Sequence, residues 1–335
     1  MADRVVRVTL QAQVANYISG MDKAAKATRE TGTEAEKLSQ KKEAFELLGR
    51  TSLVMGAAIA AGVGLALAKY ADFEQAMSNV QAATHATAED QKALGDAAIE
   101  AGASTVFSAT ESANAIEELS KAGLDTSAIL SGALAGSLDL ASAGQLGVAR
   151  AAEIASTTLQ QFKLDGSEAG HVADVLAAGA GKAMGSVDDL ANGLKFVGPV
   201  ANAMGISLEE TTGVLALFAQ QGIIGEQAGT SLRGVLSSLT SPSKEARKEI
   251  ERLGLTLYDS NGSFLGMQNA AGQLSKAYLT MDDASRDASL GIVFGRETIT
   301  AATTLYQAGA KGVDEWTTAV DDSGFAAETA RARLD

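Results

Sequence analysis

The side chains best suited to acid–base or metal chemistry are few and scattered in this 335-residue chain. It has two histidines, His85 and His171, and no cysteine. Neither histidine has the second His or Cys at i±4 that would complete a familiar metal motif, and Asp174, three residues after His171, stands alone. Without cysteine, disulfides, thiolate ligation and a thiol nucleophile are excluded. Adjacent carboxylates occur at Glu117-Glu118, Asp188-Asp189, Glu209-Glu210 and Asp282-Asp283. General acid–base work needs one carboxyl in an apolar pocket with a second facing it. Neighbours on a helix point in different directions, and two of the pairs fall in helix-start motifs, where acids favour the dipole. Gly179-Ala-Gly-Lys182 resembles the end of a phosphate loop, but Leu176 stands where the first glycine belongs and Ala183 where a magnesium-binding hydroxyl should follow. Asn261-Gly-Ser263 fits turn chemistry better than glycosylation. No catalytic, cofactor-binding or metal-binding residue is expected, and no enzyme.

The elements that would position such residues are helical. Aromatics make up 4% of the chain and proline occurs twice, too few for the strands and turns of a sandwich or barrel. Alanine is abundant and favours helix, so the thirty-five glycines are expected between short helices rather than inside long ones. Start signals recur at Thr87-Ala-Glu-Asp90, Ser108-Ala-Thr-Glu111, Asp165-Gly-Ser-Glu168, Ser186-Val-Asp-Asp189 and Ser207-Leu-Glu-Glu210, with Ser241-Pro242 as a further N-cap. Gly123, Gly205, Gly222 and Gly254 read as stops. The expected fold is mainly α: a multi-helix bundle of short helices, one small β-hairpin and a short N-terminal strand. Leu255 to Tyr258 and Phe264-Leu265, flanking Asn261-Gly262, would form the hairpin. Alternation over Val5 to Ala12 would form the strand.

Four segments are expected. Residues 1–50 combine that strand with a polar helix. Residues 51–70 form an uncharged helix in which Gly56, Ala60, Gly64 and Ala68 recur every four residues, a stripe suited to close helix contact in an oligomer or a membrane. Residues 71–308 are the α-helical body, and 309–335 begin a polar helical region that stops without a terminating motif. Charge is uneven along the chain. Residues 1–50 carry nine basic and seven acidic groups, whereas 71–240 carry seven basic and twenty acidic groups. A body this acidic repels phosphate backbones, so direct nucleic-acid binding is not expected. No apolar signal-peptide core follows Met1.

The run Gly222-Ile-Ile-Gly-Glu-Gln-Ala-Gly-Thr-Ser-Leu-Arg233 is distinctive, with Gly225, Ala228, Gly229, Thr230, Ser231, Leu232 and Arg233 as its marked positions. It is followed by the Asn261-Gly262 turn and by Ile292-Val-Phe-Gly-Arg-Glu297, containing Phe294, Gly295 and Arg296. With Ala76-Met-Ser-Asn-Val80, Phe107-Ser-Ala-Thr-Glu-Ser112, Leu119-Ser-Lys-Ala-Gly-Leu124 and Val197-Gly-Pro-Val-Ala-Asn-Ala-Met-Gly205, this series resembles the core of phage tail tape measure proteins over residues 71–308. The resemblance implies a structural virion protein in the tail lumen, assembled in the bacterial cytoplasm. The tail tube polymerises around such a protein, which sets tail length and leaves with the DNA. Implied partners are the tail tube protein, tail assembly chaperones, tail tip or baseplate proteins and further copies of the chain, with the bacterial inner membrane met during ejection. The family's long ruler helix is largely missing here, which implies an N-terminal portion of a longer protein or a shortened prophage copy. Two rival readings are a membrane pore formed through 51–68 and a cell-wall hydrolase fragment.

Overall fold

The computed structural model describes residues 68–333. Within the compact unit that begins at Asp72, residues 72–84 are helical (α1). There follow α2 (Ala88–Ser104), α3 (Ala109–Lys121), α4 (Leu134–Gly144), α5 (Val148–Phe162), α6 (Ala169–Lys182), α7 (Val187–Ala203), α8 (Leu208–Ala219), α9 (Gly225–Thr240), α10 (Lys244–Arg252), α11 (Gly266–Tyr278), α12 (Asp283–Val320) and α13 (Phe325–Arg331). A single turn, Thr126–Ala128, and a π-helical segment, Ile129–Ala133, lead into α4.

Helix starts follow local chemistry. Thr87, Ser108, Ser186 and Ser207 each accept a bond from the backbone N–H three residues on, satisfying one of the orphan donors of the first turn. Glu111 and Asp189 return the bond to their cap residues, completing capping boxes. The start expected at Ser241-Pro242 is displaced: Ser241 closes α9, and Ser243 caps α10 by accepting from the N–H of Ala246 at 3.1 Å. A serine on either side of Pro242 makes both registers possible, and the later one leaves Ser241 free to end α9.

Helix stops are equally local. Gly123, Gly205, Gly222 and Gly254 all have φ between 70° and 90°. The next residue in each case donates its N–H to a carbonyl five residues back: Leu124 to Leu119, Ile206 to Ala201, Ile223 to Phe218 and Leu255 to Ile250. That is the Schellman closure, with an apolar residue folding back on the last turn. Gln145 and Lys163 make the same closure at φ 55°, followed by Leu146 and Leu164.

Glycine also sits inside helices, contrary to the expectation that it would only punctuate them. With few aromatics to fill volume, the helices must come close, and glycine permits this. A Cβ on Gly229 in α9 would lie 2.1 Å from the carbonyl oxygen of Gly193 in α7. One on Gly136 would lie 2.4 Å from the carbonyl carbon of Ala169, joining α4 to α6, and one on Gly213 2.8 Å from the nitrogen of Thr317, joining α8 to α12. Around these crossings the core is mostly Leu, Val and Ala, with Phe218 and Tyr278 its largest fully buried side chains. The run α12 is the spine of the second half, packing on α8, α9, α10 and α11. It is broken at Gly295 (φ 71°, ψ 178°) and Gly309 (φ 62°, ψ −168°), so its pieces are short.

The fold is therefore mainly α, but the small β-hairpin is absent. Tyr258 and Phe264 form one isolated antiparallel bridge, supported by an edge-on ring contact at 6.1 Å. Asp259 accepts from the N–H groups of Asn261 and Ser263, holding a turn rather than a ladder. The arms cannot extend, because Gly254 ends α10 on one side and α11 starts at Gly266 on the other. The strand expected over Val5 to Ala12 lies outside the described residues.

Candidate functional site

Each carboxylate pair is drawn into structure. Glu117 and Glu118 share Lys121. Asp188 pairs with Arg150 across to α5 at 2.8 Å, while Asp189 accepts from the N–H of Ser186 and completes the capping box of α7. Asp282 caps α12 and Asp283 pairs with Arg286. Glu210 accepts from the N–H of Gln268 at 2.9 Å, tying α8 to the start of α11. Glu209 meets the Nε2 of His171 at 2.5 Å. Burial pushes the Glu209 carboxyl up, but bonds from Ser207, its own N–H and His171 outweigh it and hold the carboxyl below its ordinary range. The Glu209 carboxylate thus stands as a charged acceptor rather than a proton donor. His85 is remote from it, exposed and left-handed at φ 50° where α1 ends. Among the described residues, no three His, Asp or Glu side chains converge as a metal site.

Gly179 to Lys182 lies within and at the end of α6, with no loop to cradle a phosphate. Lys182 donates to the carbonyl of Ala319 and to Asp322, and its ammonium stands 5.3 Å from the centre of the Phe325 ring. Asp174, which sequence reasoning passes over as a working residue, does related work. Nearly buried, it accepts from the N–H of Gly324 at 2.7 Å and of Ala326 at 2.9 Å, capping α13 from 150 residues away in sequence. Local spacing cannot reveal such a cap. The only hint is an acid on the otherwise apolar run Val172 to Ala178.

The marked positions of the distinctive runs divide by burial. Ala228, Gly229 and Leu232 are buried, and Gly225 opens α9 at φ 59° beneath Asp189. Phe294 is buried and Gly295 breaks α12. Asn261 and Gly262 form the exposed turn, and Thr230 bonds back to the carbonyl of Glu226. Ser231 is half-buried. Arg233 and Arg296 are exposed. Arg233 lies 6.0 Å from the centre of the Phe196 ring, and α9 meets α12 one residue further on, where Gly234 faces Thr298. In the stripe, Gly56, Ala60 and Gly64 lie outside the described residues, and Ala68 is helical and exposed. Among the described residues, no helix is long and apolar enough to cross a membrane.

Among the described residues these side chains pack, cap helices, pair or face solvent. The family profile described as phage-related minor tail protein matches residues 95–295. The chain is 38% identical over 265 residues to a "Tape measure protein" of Pneumococcus phage Dp-1, covering 79% of this chain and 23% of that protein. It is 28% identical over 263 residues to a "Probable tape measure protein" of Escherichia phage P2, covering 77% of this chain and 32% of that one. The chain thus spans about a quarter to a third of the length of these relatives. No solved structure matches.

Proposed function

The chain belongs to the phage-related minor tail protein family, and we propose that residues 72–333 are the folded module of a tail tape measure protein, a structural component with no reaction of its own. The observation that carries this reading is the overlap of the family match, residues 95–295, with the glycine-packed bundle, alongside relatives bearing that name. The bundle itself is a poor ruler. Among the described residues the longest unbroken helical runs have 17 residues, about 25 Å at 1.5 Å per residue. In this reading, length is measured by the part of the protein outside the bundle, and the bundle anchors that part to other tail components: the tube, chaperones and tip. Several copies sit together in the tail lumen. The stripe Gly56, Ala60, Gly64 and Ala68 serves in this proposal as a close helix contact between copies.

The test is tail length by electron microscopy in a phage carrying this chain. In-frame deletions outside 72–333 should shorten the tail by about 1.5 Å per residue removed. Deleting α7 to α9 should abolish tails without giving shorter ones. Tails of constant length across the outer deletions would end the ruler reading.

A further inference from the structure

Helices α11 and α13 each take an N-terminal cap from an acid distant in sequence, and they differ in what else holds them. Glu210 of α8 accepts from the N–H of Gln268 at the start of α11, and α11 then buries Met267, Ala270, Ala271, Leu274 and Tyr278. Asp174 of α6 accepts from the N–H groups of Gly324 and Ala326 at the start of α13. α13 buries Ala326 and Ala330, with Phe325 half-buried beside them. Two methyl groups contribute little, because hydrophobic stabilisation follows the apolar area removed from water. α10 is similarly poor, burying Ala246 and Ile250, but chain joins it to the bundle on both sides, through α9 and α11.

What holds α13 is mostly polar and lies on the helices it covers, α4 and α6. Lys182, at the end of α6, donates to the carbonyl of Ala319 at 2.7 Å and to Asp322 at 2.6 Å, and its ammonium stands over the Phe325 ring. Gly181 leaves room for that ring, since a Cβ there would lie 3.1 Å from it. Past the other end of α13, Arg333 donates to the carbonyl of Ser142 on α4. Arg331 draws down the carboxyl of Asp139, which burial and nearby Asp174 push up. The N-cap residue Gly324 has no side chain to offer, so the bond that docks α13 is also the bond that caps it. A helix of seven residues does not hold its shape alone, so undocking removes the cap and the fold of α13 together.

We propose that α13 is a strap that unlatches from α4 and α6 and unfolds as a unit while the bundle beneath it stays folded. Asp174 is the latch. The open form frees residues 321–333 and bares two acids on adjoining helices, Asp139 and Asp174. Opening gives up little apolar burial, so its free energy is set chiefly by charge-assisted bonds and lies below that of unfolding the bundle. The strap needs no particular role for the module and can fail while the ruler reading stands.

Native-state hydrogen exchange on the full 335-residue chain tests it. The readout is the amides of Glu328 and Ala332, which bond to the carbonyls of Gly324 and Glu328 and do not touch Asp174. In the wild type they should exchange at least about tenfold faster than those of Leu274 and Tyr278 in α11, with little dependence on denaturant. Asp174→Ala should speed them by a further ten- to a hundredfold or so and leave α11 unchanged, because two charge-assisted bonds are lost. Phe325→Ala alters the strap and spares its seat. It should act in the same direction at smaller size, and it decides the matter where the Asp174 variant fails to fold. Strap amides as slow as those of α11 in the wild type would overturn the proposal. So would strap amides that neither variant accelerates, or a Phe325→Ala protein in which α11 speeds up as much as the strap.

Discussion

The α7–α9 crossing and the broken run α12 both depend on glycine, for opposite reasons. At the crossing Gly229 is helical, and the backbone of Gly193 occupies the place a side chain would take. In α12, Gly295 has nothing within 4 Å of where a Cβ would stand, but its φ of 71° with ψ of 178° suits almost no other residue. One glycine is there for the space it leaves and the other for the angle it allows. Both lie in the runs that resemble the tape measure core, so the likeness in sequence marks two distinct structural needs. Together they explain why a chain so rich in good helix formers yields short pieces packed tightly rather than one long rod.

The largest effect should come at the crossing. Gly229→Ala places a methyl carbon against the backbone of α7, 2.1 Å from an oxygen that no rotamer change can move. Alanine gains up to about 1 kcal/mol in helix propensity over glycine. Forcing the helices apart costs more, so a net loss of about 2–4 kcal/mol is expected in urea or thermal unfolding of the chain. A Gly229→Ala protein as stable as the wild type would show that the crossing can relax and that close approach is not what requires glycine there. Gly295→Ala tests the other half of the comparison. With no clash available, its cost is backbone strain alone, about 1–3 kcal/mol. If the substitution is neutral, the run can straighten at that point, and the break does not hold the fold together.

What can be read from the sequence follows the range of the interactions. Thr87, Ser108, Ser186 and Ser207 are visible as caps because an N-cap and its partner lie three residues apart. Gly123, Gly205, Gly222 and Gly254 are visible as stops because a left-handed closure also lies within six residues. Gln145 and Lys163 escape notice for want of glycine, although the leucine after each is a usable signal. The hairpin is expected in error because Asn261-Gly262 specifies a turn and says nothing of strand length. Gly193, Gly136 and Asp174 are not legible, since their roles depend on which helix lies alongside, and no local pattern carries that. The sequence marks Arg233 and Arg296 only through resemblance, and that Arg233 stands over the Phe196 ring of α7 is a property of the fold.

A third glycine decides whether the distinction between space and angle holds throughout the molecule. Gly291 also lies in α12, four residues before the break, but its φ is not among the positive values and nothing stands within 4 Å of where its Cβ would be. It is exposed and helical. Neither reason for glycine applies, so Gly291→Ala should stabilise the chain, by about 0.5–1 kcal/mol, through propensity and reduced freedom in the unfolded state. The sign matters more than the size. A gain here beside losses at Gly229 and Gly295 would show that geometry at each site, rather than glycine content, governs stability. A loss at Gly291 would show that neither space nor angle accounts for the glycine there, and the comparison would fail at its third member.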